Sequence, residues 1–321
     1  MVNRGAMVQN KIKVSFIGAG NMASEHIKCF LDIENVKLGG IHSRTRSKAE
    51  VLASTFSIPM VCDSIKELYE NTQSDLVIIS VSELSVREIC MEAFQYPWVC
   101  LIEKPAGYNF EDASIVAKEA ELRNCQAFVA LNRRHYSSTK SVLEDLVGNK
   151  AKRLIHIYDQ EDIITARNMG TPPLVIENWM YANSIHVIDY LKTFGRGEVV
   201  SVEPIIRWNS ETPDFVSAKI CFSSGDIGLY EAVWNGPGPW AVTVTTQEKR
   251  WELRPLEKAI YQLKGSRKLE IIESHEWDTL FKPGLRAQAN EAIKATLGKP
   301  HSLPTVNDAL GTMQLVKEIY S

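Results

Sequence analysis

The chain has 321 residues, which is long for one small core and suits two domains. It is 45% hydrophobic and 23% charged with a formal charge of −3, so nothing marks it as a nucleic-acid or membrane-surface binder. No apolar run approaches the ~18 residues of a membrane span. The six cysteines (Cys29, Cys62, Cys90, Cys100, Cys125, Cys221) form no CxxC pair, which suits buried thiols in a reducing, cytoplasmic setting.

Residues 1–10 are polar, lack the apolar core of a signal peptide and are expected to form a loose tail. Strands are predicted at 11–18, 36–41, 75–81, 98–102 and 126–131, and helices at 22–31 and 47–56, with helical patterns also after the strands at 75–81 and 98–102. Near-continuous β-branched strands separated by helices imply a parallel sheet covered on both faces. Right-handed crossovers then wind residues 11–131 into a Rossmann-type α/β domain. The pattern shifts after residue 131 without a flexible spacer. A helix at 137–147 precedes longer, alternating strands at 153–160, 199–207, 215–222, 228–234 and 242–246, the pattern of an antiparallel sheet with one solvated or interface face. One helix is predicted at 179–194 and two more at 285–296 and 306–319. Residues 132–321 are expected to form a substrate-binding and oligomerisation domain, with the last helix (about 305–320) free to pack back on the first domain.

Gly18-Ala19-Gly20-Asn21-Met22-Ala23 lies between the first strand and the first helix and fits G-x-G-x-x-A. Gly18 permits the tight turn, Gly20 lets backbone approach a pyrophosphate, and Ala23 still allows close helix–strand packing. Free N–H groups at the helix start, Asn21 and Met22 included, then face the phosphates. The second strand ends in Ile41-His42-Ser43-Arg44-Thr45-Arg46, with no acid to bond ribose hydroxyls. Ser43 and Arg44, helped by Arg46 or Lys48, can instead hold a 2′-phosphate, which favours NADP(H) over NAD(H). The alternative is a solvated basic helix start.

The strand at 98–102 delivers Glu103-Lys104-Pro105 to the carboxyl end of the sheet, where open α/β folds bind ligands. Lys104 there can exchange a proton with a carbonyl or hydroxyl, or it is a lysine snorkelling at a strand end. These two motifs, with Asn132-Arg133-Arg134 and His186-Val187-Ile188-Asp189, resemble the Gfo/Idh/MocA oxidoreductases, relatives of glucose–fructose oxidoreductase and inositol dehydrogenase. The pattern runs along nearly the whole chain. The resemblance implies a second domain with a large, open, mostly antiparallel sheet and substrate held between the domains. It implies Lys104 as the catalytic lysine beside Glu103 at the cofactor, a cis peptide before Pro105, and His186 facing nicotinamide and substrate. Asp189, one helical turn on, would orient that imidazole or cap a neighbouring element. The substrate implied is a sugar, polyol or activated sugar, and the assembly a homodimer or homotetramer through the second sheet.

One departure stands out. Many members carry an aspartate four residues before the histidine, and here that position is Ala182. Lys104 then acts alone or with His186, Tyr181 or Asn183, or the chain is a non-catalytic sensor or scaffold for NADP(H). An imine or small diol is a further substrate reading. Arg133 and its neighbours Arg134, His135 and Tyr136 either line the cleft or form a solvated turn. Arg167 and Gly170-Thr171-Pro172-Pro173 read as a loop before the histidine helix, and Phe281-Lys282-Pro283-Gly284 as a segment that can approach the site. The histidines show no metal-ligand spacing, and no G-x-S-x-G elbow is present.

Overall fold

The computed structural model describes residues 11–321; the tail expected at 1–10 lies outside them. In the first unit, strands β1 (Ile12–Ile17), β2 (Val36–His42), β3 (Val61–Cys62), β4 (Leu76–Ile79), β5 (Val99–Glu103) and β6 (Ala127–Ala130) alternate with helices α1 (Asn21–Leu31), α2 (Arg46–Phe56), α3 (Ile65–Thr72), α4 (Val86–Ala93) and α5 (Phe110–Leu122). The strands pair in parallel in the order β3-β2-β1-β4-β5-β6. Every residue of β4, β5 and β6 is buried, because helices cover both faces of the sheet. The strand order reverses between β1 and β4, so a crevice opens beyond their carboxyl ends.

The second unit contains helix α6 (Ser137–Leu146), strand β7 (Leu154–Glu161), and helices α7 (Ile163–Asn168), α8 (Pro173–Glu177) and α9 (Ile185–Phe194). Strands β8 (Val199–Ile206), β9 (Phe215–Phe222), β10 (Ile227–Trp234), β11 (Ala241–Thr245), β12 (Lys249–Leu253), β13 (Ala259–Leu263) and β14 (Leu269–Ile272) follow, then α10 (Trp277–Leu280), α11 (Leu285–Thr296) and α12 (Val306–Ile319). Eight strands form one open sheet in the order β14-β13-β12-β11-β7-β10-β9-β8. It is mostly antiparallel; β7 and β10, in its middle, run parallel. Along β7 buried residues alternate with partly exposed ones, so one face carries the core.

Several local features differ from the sequence expectation, β3, α3 and α10 among them. Strands β12 to β14 were not expected, since in runs such as Lys249–Leu253 only Trp251 and Leu253 are buried and the apolar signal is weak. The run predicted as a single helix over 179–194 is divided: Met180–Ser184 form a π-helical turn, and α9 starts only at Ile185. The expected loop around Arg167 is partly helical. Asp162 caps α7 by accepting from the Thr165 N–H at 2.8 Å, and Pro173 opens α8, where its missing N–H costs nothing.

Helix α12 joins the units. The Pro304 carbonyl accepts from Val129 N–H at 3.0 Å, alongside β6, and a Thr305–Asp308 capping box then starts the helix. The helix packs between α5 of the first unit and α9 of the second. Just beyond its end, the Tyr320 hydroxyl reaches the second sheet and lies 2.7 Å from that of Tyr230.

Candidate active site

A cleft of about 470 Å³ opens beyond β1, β2, β4 and β5. Gly18, Gly20, Asn21, Met22, Ser43, Arg44, Lys48, Glu103 and Lys104 all line it. Gly18 has φ +107, and a Cβ there would lie 1.9 Å from the Ser80 carbonyl oxygen, so only glycine fits between the two strand ends. At Gly20 a Cβ would meet no protein atom within 4 Å. Its hydrogen therefore leaves open the space through which a ligand reaches the start of α1. That helix has no side-chain cap and no acid in its first turn, so its free N–H groups suit an anion. These residues fit the pyrophosphate of a dinucleotide. The segment Ser80–Glu83 after β4 lines the same cleft and was not singled out in the sequence, where it carries no motif.

Lys104 follows the last residue of β5, its peptide to Pro105 is cis, and its ammonium donates to the carbonyl oxygen of Ala182 at 2.7 Å. Burial, with a smaller contribution from Arg133, lowers the lysine to about 8 against the pull of Glu103. Glu103 itself is hydrogen-bonded to buried His26 at 2.6 Å, which ties the strand end to α1.

The π-turn that presents the Ala182 carbonyl rests on Glu161, the fully buried last residue of β7. Its carboxylate accepts from Trp179 Nε1 at 2.6 Å, Asn183 Nδ2 at 2.7 Å and Ser184 Oγ at 3.0 Å. Asp159, two residues earlier on the same face of β7, accepts from the Tyr230 hydroxyl at 2.6 Å. Its other oxygen, Oδ1, has no donor. Burial and the proximity of the two acids raise Glu161 well above the usual carboxylate range, and burial also raises Asp159. One proton shared by the pair supplies the donor that Oδ1 lacks.

His186 opens α9. Its ring centroid lies 6.0 Å from that of Trp240, whose other neighbour is the Arg133 guanidinium, 4.7 Å from the indole. Burial, with the charges of Arg133, Lys104 and Lys282, pushes the imidazole well below its ordinary value, so it is neutral at physiological pH. Lys282 comes from the segment expected to approach the site, and Trp240 from the turn at 235–240. Trp240 is held by donating to the Gln160 carbonyl at 2.9 Å, and nothing in the sequence pairs it with His186.

Four expected site residues lie elsewhere. Arg46 is outside the cleft, paired with Glu50 and Asp63, because helix α2 turns it towards its own i+4 neighbour. Asp189 does not orient His186. It takes a bidentate pair of 2.6 Å bonds from Arg134 and one of 2.8 Å from Thr312, fastening α9 to α12. Asn183 is committed to Glu161. Tyr181 is buried, which pushes its hydroxyl up to about 12, and the charge it senses is Glu111 at the start of α5 rather than Lys104.

A glycine-rich turn at the switch point of a parallel sheet, with a lysine at the next-but-one strand end and a large open sheet beyond, defines a dinucleotide-binding oxidoreductase fold. Residues 12–131, the first unit, match the model of the Gfo/Idh/MocA oxidoreductase family with an NAD-binding Rossmann fold. Glucose-6-phosphate 3-dehydrogenase of Bacillus subtilis (strain 168) is 25% identical over 145 residues, which span 45% of this chain and only 41% of that protein. Among solved structures, a dehydrogenase from Chromobacterium violaceum superposes with a TM-score of 0.82 at 17% identity, covering 97% of this chain and 94% of that one. UDP-N-acetylglucosamine 3-dehydrogenase from Acidithiobacillus ferrooxidans gives a TM-score of 0.77 at 15% identity, covering 96% of each chain. At these identities the two structures establish a shared fold. Among the described residues no helix is long and apolar enough to cross a membrane, and no group of His, Cys, Asp and Glu is arranged to hold a metal.

Proposed function

We propose that the chain is an NAD(P)-dependent dehydrogenase acting on the hydroxyl or carbonyl carbon of a sugar, polyol or activated sugar, with Lys104 exchanging the proton. The observation that carries this reading is the position of Lys104: in the wall of the dinucleotide cleft, fixed by the Ala182 carbonyl, with its pKa lowered to about 8. At that value both protonation states are populated near neutrality, as a proton carrier requires. Bound nicotinamide supplies the hydride acceptor or donor. Neutral His186 offers the substrate hydroxyl a hydrogen-bond partner without adding a charge. The Ala182 carbonyl partners the lysine from the position where many relatives carry an aspartate, which favours an enzyme over a sensor.

NADP(H) is the favoured cofactor. Ser43 and Arg44 line the cleft beyond β2, no acid stands there, and Arg44 is exposed with Lys48 nearby on α2. Arg46, committed to Glu50 and Asp63, is no longer part of this reading. Self-association through the second sheet is supported by its open face, where Leu229, Val233 and Tyr158 are only partly covered.

Cofactor absorbance followed with a panel of sugars, sugar phosphates and nucleotide sugars tests the proposal. Turnover of at least one compound is expected, falling at least about 100-fold in Lys104→Ala. Full turnover in Lys104→Ala sinks the mechanism. Tight NADPH binding with no turnover anywhere in the panel returns the chain to a sensor.

A further inference from the structure

Beside the cofactor cleft, cations gather around His186, and two of them have no ion pair. Arg134 is bound by Asp189, and Arg286 by Asp32 at 2.6 Å. By contrast, Arg133 and Lys282 make no ion pair with a carboxylate among the described residues, and the buried Nε of Arg133 has no hydrogen-bond partner. The two come from abutting segments. Asn132 donates from Nδ2 to the Pro283 carbonyl at 3.0 Å, and a Cβ on Gly284 would lie 2.2 Å from the Asn132 carbonyl oxygen. Arg133 is held against Trp240 over the histidine ring, and the Lys282 ammonium lies 3.1 Å from Met22 Sδ on the cofactor loop. Lys104 is the third cation of the group. The nearest acid on β5, Glu103, is occupied by His26.

We infer that the substrate carries a negatively charged group, a phosphate or a carboxylate, held by Arg133 and Lys282. This rests on reading the cleft as that of a dehydrogenase. Arg133 and Lys282, without ion pairs and close to Lys104 and a neutral histidine, raise one another's energy, and the oxidised nicotinamide ring brings a further positive charge to the same place. A neutral polyol could accept from the Arg133 guanidinium but would leave that charge unbalanced. An anionic oxygen provides both the balance and the acceptor. The planar guanidinium, braced on its face by Trp240, keeps its edge for a two-oxygen contact of the kind phosphates and carboxylates offer. Lys282, beside Met22 on the cofactor loop, would supply the second positive charge. The reacting carbon would then lie between the anion and Lys104, so the charged group selects which hydroxyl of a ring faces the proton carrier.

The test is isothermal titration of the NADP⁺-saturated protein with neutral sugars and their charged counterparts: glucose, glucose 6-phosphate, glucuronate and a nucleoside-diphosphate glucose. At least one charged compound should bind at least about 10-fold more tightly than glucose, the scale of one charge-assisted contact. Which compound does so distinguishes phosphate from carboxylate. Arg133→Met should remove most of that preference and Arg133→Lys should restore part of it. Lys282 is exposed, so Lys282→Met gives a variant that folds, and it should weaken the charged compound several-fold at unchanged NADP⁺ affinity. Equal binding of charged and neutral compounds, no binding by any charged compound, or a Lys282→Met variant that loses only NADP⁺ affinity overturns the inference. Turnover is read separately. Neutral sugars oxidised as well as charged ones leave the dehydrogenase standing without the anion site, whereas tight binding of a charged sugar without hydride transfer leaves the anion site standing without the dehydrogenase.

Discussion

Glu161 has no solvent exposure, yet it organises the turn on which Lys104 depends, and replacing it separates two of its roles. In Glu161→Leu the side chains of Trp179 and Asn183 lose their acceptor, while Ser184 can turn to the Tyr320 hydroxyl 3.3 Å away. Stranding a buried donor costs about 1–3 kcal/mol, and both donors are half-buried, so the loss should be about 2–4 kcal/mol. Glu161→Gln should behave differently. Its carbonyl oxygen can keep Trp179 and Asn183, and its amide can donate to the unpartnered Asp159 Oδ1. The pH dependence gives a second readout. Burial and the Asp159 charge raise the Glu161 pKa in the folded chain, so between the unfolded and folded values the folded state holds a proton that the unfolded state has released. Stability from this group is therefore full below the unfolded carboxylate value and declines as pH rises towards the folded one. The glutamine variant should flatten that decline and equal or exceed the native chain at about pH 8. Urea midpoints at about pH 5 and about pH 8 measure both effects. A leucine variant losing less than about 1 kcal/mol, or a glutamine variant with the native pH slope, refutes the account of the carboxyl pair.

Three other outcomes follow from the cleft. If Lys104 carries the proton with a pKa of about 8, reduction of a carbonyl should slow as pH rises through that value, because the ammonium is the donor. Oxidation of a hydroxyl should quicken over the same range, and a kcat/KM profile without an inflection there counts against the assignment. The two glycines of the loop should fail in different ways. Gly18→Ala drives a Cβ into the Ser80 carbonyl at positive φ and should cost about 3 kcal/mol or more, whereas the Cβ of Gly20→Ala meets no protein atom and this variant should keep its Tm while losing at least about 10-fold in dinucleotide affinity. Thermal melts with and without NADP⁺ distinguish the two. Arg44→Ser should weaken NADP⁺ about 10- to 100-fold and leave NAD⁺ nearly unchanged, as fluorescence titration of both cofactors would show; equal effects on the two remove Arg44 from the 2′-phosphate.

What the sequence made legible follows the range of the interactions involved. The loop from Gly18 to Ala23 and the strand ending at Glu103 are local patterns: a buried run, a turn residue, a helix start. Their places at the switch point come from a topology that right-handed crossovers nearly dictate. Arg46 and Asp189 show that local spacing tells which residues are able to meet, while partners distant in sequence decide which do. Asp63 draws Arg46 away, and Arg134 with Thr312 draws Asp189. The Arg133–Trp240–His186 stack was illegible for the same reason, since its members come from three separate stretches of chain. Ala182 is the most instructive case. Read as a side chain, it is a missing acid. The π-turn changes what the position offers, because its backbone carbonyl points to Lys104 and replaces a carboxylate with a neutral acceptor. A neutral partner does not hold the proton on the amine as an aspartate would. Burial can therefore lower the lysine to about 8, and on the proposed reading of Lys104 the loss of the acid retunes the proton carrier rather than removing it.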